Sequence, residues 1–97
     1  MSESIDPHFF ARADAVIDLA NEQNKEIGSG KVSASLMYAT TRFNSWVSAC
    51  GFENGDDMRR AKAETIEYFV EQYRAMLEEN LNDYIEHFGK YMQSAGS

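Results

Sequence analysis

The residues best equipped for chemistry lie in one stretch. Val32 to Cys50 carries Tyr38, Arg42, Asn44 and Trp46 in a segment without Asp or Glu, where Arg42 is the only charge. Tyr38 and Arg42 are four apart, a spacing that makes them neighbours on a helix, and Trp46 continues the same side. A guanidinium beside a phenol and an amide is the donor set of an anion or carboxylate pocket. Arg42 would be the clamp, with Tyr38 and Asn44 as hydrogen-bonding groups. The plainer expectation is structural. With acidic segments on both flanks, Arg42 would pair with a carboxylate of the first or third helix while aromatic rings pack on its guanidinium. Tyr38, Arg42, Asn44 and Trp46 are the candidate ligand-binding residues.

Other constellations are weaker. Asp83 and His87 are four apart and could reach one ion. A di-metal site, however, needs Glu-x-x-His on two helices with further inward carboxylates. Glu86 points away from the apolar stripe, and His8 is the only other histidine. A solvated acidic face is expected there, with no metal. Cys50 sits at a helix C-terminus, where the dipole disfavours thiolate, and is expected to be a small buried hydrophobe. Gly28-Ser29-Gly30-Lys31-Val32-Ser33 fails the spacing of a phosphate loop and follows a helix rather than a strand. Asn24 and Asn80 lie in or beside apolar stripes and read as satisfied core amides that fix packing register. No cofactor and no catalytic residue is expected.

Composition sets the frame. The chain has 97 residues, a net charge of −7 and 43% hydrophobic residues, which describes one ordinary globular domain spanning 1–97. The charge is −4 over residues 1–30, +2 over 31–52 and −5 over 53–97. Phosphate backbones and anionic membrane surfaces are therefore poor partners. One cysteine allows no intrachain disulfide. The first residues lack a basic start and a long apolar run, and no segment approaches the ~20 apolar residues of a membrane span. A cytoplasmic protein is expected.

Three helices can position these residues, in an all-α fold. Asp6-Pro7 starts the first, at about 7–27, with an Asp cap and proline at the first position. Its apolar stripe includes Phe9, Ala13, Val16, Ile17 and Ile27. Gly28 to Gly30 forms the turn. Ser33 caps the second helix, at about 33–50, with Val32 stapled onto Met37. With almost no charged face, this helix is expected to be buried on more than one side, as the centre of the fold. Asp56 or Asp57 caps the third, at about 57–92, whose stripe runs through Ile66, Val70, Tyr73, Leu77, Leu81, Tyr84 and Phe88 and is extended by Tyr91 and Met92. Residues 1–5 and 93–97 are expected to be loose.

Lys31 to Asn44 (KVSASLMYATTRFN), with Trp46-Val47, resembles the central signature of a family of short bacterial proteins known only as a domain of unknown function. Glu67-Tyr68-Phe69 and the run from Tyr73 to Leu81 resemble its second signature. The resemblance covers most of the chain. It implies a bacterial, cytoplasmic helical protein, and it supplies no activity.

Two functions follow. Without a nucleophile–base pair, a metal cluster or a cofactor loop, a non-enzymatic protein–protein interaction or regulatory module is expected. The alternative is an anion-binding protein or enzyme built on Tyr38, Arg42, Asn44 and Trp46. Length argues for a homodimer. A third helix of 36 residues would run roughly 50 Å, while an antiparallel pair of the first two spans only about 30 Å. Either a second chain covers the overhang, or the helix breaks near Asn80–Asp83 and folds back as a four-helix bundle. The stripe keeps phase through Asn80, which favours the dimer. An unidentified protein partner is also expected.

Overall fold

The computed structural model describes the backbone of residues 6–96 and the side chains of residues 6–93. Among the described residues the protein is all-α, in the order α1 (Phe9–Ile27), α2 (Ser29–Ala49), α3 (Gly55–Arg60), α4 (Lys62–Glu86) and α5 (Phe88–Gly96). Contacts divide the chain into two units, Met1–Val47 and Ser48–Ser97. The expectation for residues 1–5 lies outside the described residues, whereas 93–96, expected to be loose, continue α5.

In the first unit, Asp6 starts the chain's helical course from one turn ahead of α1. Its Oδ1 accepts the His8 N–H at 2.9 Å, and its carbonyl accepts the Phe9 N–H at 3.1 Å. Its carboxylate also pairs with Arg12. The Arg12 hydrogen bond, and then the His8 N–H, hold the Asp6 carboxyl below the usual carboxylate range. The expected start at Pro7 is therefore a capped turn that hands over to helix at Phe9.

Gly28 alone joins α1 to α2. Its backbone, at φ 102 and ψ 146, is open to glycine and strained for other residues. A one-residue link is shorter than the two to five residues an antiparallel helix pair requires. Among the described residues α1 and α2 meet only around their shared corner. The antiparallel pair read from the sequence is thus not formed. Ser33, expected as the cap of α2, sits one turn inside it because the helix already begins at Ser29. Val32, expected as a staple, sits at the corner instead, its N–H bonded to the Gly28 carbonyl at 3.2 Å. It is 7% exposed and is the one buried hydrophobic residue among those described. The rest of α2 is not buried as its low charge suggested: Met37, Tyr38, Phe43, Trp46 and Val47 are all exposed. Low charge on this helix marks surface that can be covered, not surface that is covered within its own unit.

In the second unit, Asn54 rather than Asp56 or Asp57 caps α3, its extended backbone letting the side-chain oxygen accept the Asp57 N–H at 2.9 Å. Asp56 and Asp57 occupy the first turn and pair with Arg59 and Arg60 one turn on. That order complements the helix dipole. Asn54→Ala is expected to lower stability by about 1 kcal/mol. A urea midpoint unchanged by this substitution would show that the cap contributes nothing.

The single helix expected over 57–92 is interrupted at two points, Ala61 and His87. Ala61 (φ −93, ψ 1) steps between α3 and α4, and nothing in its local sequence explains the step. His87 (φ −114, ψ 30) steps between α4 and α5. α4 runs without a break through Asn80–Asp83, where the fold-back had been placed. Asn80 donates its amide to the Met76 carbonyl at 2.8 Å, so the helix satisfies it locally, on an exposed face rather than in a core. The α4 stripe stays in the open along its length: Ile66, Val70, Tyr73, Leu77, Leu81 and Tyr84 are exposed.

Candidate functional site

The four candidate residues all lie on α2, and the helix separates them into two groups. At about 100° per residue, Arg42 lies ~40° and Trp46 ~80° from Tyr38, so these three share a face. Asn44 lies roughly 200° from Arg42, on the other side of the helix. Tyr38 and Trp46 are 67% and 62% exposed, and Asn44 is half-buried. Trp46 leans on Phe43, with ring centroids 6.0 Å apart and planes tilted by 31°. Arg42 is exposed and forms no ion pair among the described residues of its own unit, so the expected pair with an acid of the first helix is not made. An exposed face of this kind offers a cation between two aromatic rings, which suits a surface contact better than an enclosed pocket.

Three hydroxyls of α2 are bonded to its own backbone. Thr40 donates to the Leu36 carbonyl at 2.9 Å, Thr41 to that of Tyr38 at 2.8 Å and Ser45 to that of Thr41 at 2.8 Å. Such back-bonding lets these three hydroxyls be covered without being stranded.

A second constellation crosses the break at His87. The Asp83 carboxylate faces His87 Nδ1 at 3.1 Å through one oxygen and accepts the Tyr91 hydroxyl at 2.9 Å through the other. The Tyr84 and Tyr91 rings stack with centroids 4.6 Å apart. A carboxylate on Nδ1 orients an imidazole as in a base–orienter pair. The cluster supplies no nucleophile, and its acid is committed to two partners. It fastens α5 to α4. Among the described residues no group of three or more His, Cys, Asp or Glu side chains converges as a metal cage requires. In the sequence, Asp83 and His87 stand out as a pair, while Tyr91 belongs to the apolar stripe. The positions 83, 87 and 91, each four apart, were the available signal. Cys50, expected to be buried, is a free and exposed thiol.

The hydrogen bond to Asp83 raises the Tyr91 pKa above its ordinary value of 10.0, with lesser contributions from desolvation and the nearby acid. A tyrosine pKa raised by folding stabilises the folded state fully below the unfolded value. That contribution is lost as pH rises through the folded pKa. The α5 clasp is therefore expected to hold through neutral pH and to loosen above about pH 10, where Tyr91 ionises. Amide exchange in α5, followed against pH in the parent and in Tyr91→Phe, checks this. Equal α5 protection in the two proteins at pH 8 would contradict it.

Among the described residues the protein is all-helical with exposed apolar faces. The sequence matches the family model "Protein of unknown function (DUF3144)" over residues 9–85, and the chain belongs to that family. It is similar to the NMR structure of the protein NB7890A from Shewanella sp., at 40% identity and a TM-score of 0.75, covering 95% of this chain and 98% of that one. No curated protein matches the sequence.

Proposed function

We propose that the protein is a non-enzymatic protein–protein interaction or regulatory module that works as a helical homodimer in the bacterial cytoplasm. The observation that carries this reading is the apolar stripe of α4, exposed from Ile66 to Tyr84. Contiguous apolar surface of this extent marks an interaction site. The Shewanella relative supports a bacterial setting. A single free cysteine and the lack, among the described residues, of a helix long and apolar enough to cross a membrane agree with the proposed location. Light scattering at micromolar concentration tests the dimer. A mass near twice the 11.0 kDa of the chain is expected, and 11.0 kDa would overturn it. Pull-down from the native extract then identifies any further protein partner.

Arg42 without a carboxylate in its unit favours a second reading, an anion-binding face. Asn44 lies off that face, so this reading rests on Tyr38, Arg42 and Trp46. A small-anion thermal-shift screen on the parent and Arg42→Met tests it. No anion that stabilises the parent selectively would dismiss it.

A further inference from the structure

We propose that the dimer forms by seating α2 of one copy on the apolar stripe of α4 in a second copy, and reciprocally, so that a two-fold axis generates two identical contacts. The inference rests on the dimer reading and names its surfaces.

Charge selects the pairing. α2 carries Lys31 and Arg42 and no acid, whereas α4 carries seven acids against Lys62 and Arg74. Pairing α4 with α4 would bring two acidic flanks together, and pairing α2 with α2 would oppose two arginines without a carboxylate. α2 on α4 of the second copy is the combination that attracts, and it supplies the acids that Arg42 lacks in its own unit.

Several polar groups on both surfaces can be covered without being stranded. Thr40, Thr41 and Ser45 on α2 and Asn80 beside the α4 stripe are bonded to their own helices. Phe43, Trp46 and Val47 offer apolar bulk on α2. On α4, Val70, Tyr73, Leu77, Leu81 and Ile85 form an open face alongside Arg74 and Glu78. Lengths also fit: 21 residues of α2 make about 32 Å and 25 of α4 about 38 Å. One helix pair alone falls short of the roughly 1,200–2,000 Å² of a stable interface, and the two-fold supplies a second.

Isotope-filtered NOE spectra on a mixture of ¹³C-labelled and unlabelled full-length chains test the proposal. Intermolecular NOEs from the Phe43 and Trp46 rings to the Leu77 and Leu81 methyls are expected. Arg42→Glu is expected to weaken dimerisation at least tenfold, and Arg42→Lys less than threefold. A dimeric mass with filtered NOEs only between like helices, or none from α2, overturns the inference and leaves the dimer standing. Contacts of α2 with α4 seen only within one chain do the same. A mass of one chain at the NMR concentration overturns both, whether or not a different protein is captured.

Discussion

Leu77→Asp is expected to turn the dimer into a monomer. Leu77 lies midway along the α4 stripe and is half-exposed, so the substitution places no charge inside its own unit. In the dimer it buries an unpaired carboxylate at each of two symmetry-related contacts. Each costs several kcal/mol. Since about 1.4 kcal/mol is a factor of ten, self-association should weaken by about a thousandfold or more. Sedimentation equilibrium reads this directly. A control at Glu79, on the opposite side of α4, should leave association within about threefold. Dimerisation by Leu77→Asp with the parent's affinity would show that the stripe is not the interface.

Gly28→Ala is expected to lower stability by about 1–3 kcal/mol, the cost of holding a residue with a side chain in a sparsely populated backbone region. A Cβ at Gly28 meets nothing within 4 Å, so crowding cannot contribute and the effect isolates the backbone at φ 102. Gly30 is the internal control. It lies inside α2, also in open space, and Gly30→Ala should stabilise the helix by up to about 1 kcal/mol. Opposite signs at two glycines two residues apart, read from urea midpoints, are the expected result. Equal effects would mean that the corner is not built on the glycine backbone.

The sequence was most readable where periodicity runs long. The stripe from Ile66 to Phe88 and the acid-free run after Val32 both announced helices: α1 and α2 overlap the expected spans, and α4 lies inside the third. Caps were harder. Ser33 is a good capping residue, but Gly28 completes the turn alone and starts α2 four residues earlier, so the signal is spent inside the helix. Asn54 outcompetes Asp56 and Asp57 because its extended backbone aims the side chain back at the Asp57 N–H. The break at His87 could not be read from hydrophobic phase, because the stripe continues across it through Tyr91. The Asp83–His87–Tyr91 cluster shows it, and clusters become visible only when side chains are placed. At the candidate site, Tyr38, Arg42 and Trp46 fall on one face of α2. Asn44, near them in sequence, is carried to the other side by the helix itself. Burial was the least readable property: a helix poor in charge looks the same whether its own chain or another covers it.

The central claim is that the exposed apolar faces of these helices are covered by a second copy, so that folding and association are coupled. Thermal unfolding as a function of concentration tests it most directly. A protein stabilised by dimerisation gains about 2.7 kcal/mol over a hundredfold rise in concentration. For a dimer of this size that raises the Tm by on the order of 5–10 °C. Melts recorded by circular dichroism from 1 to 100 μM should show that rise. A Tm independent of concentration across this range would contradict the claim, because the helices would then be stable without a partner chain.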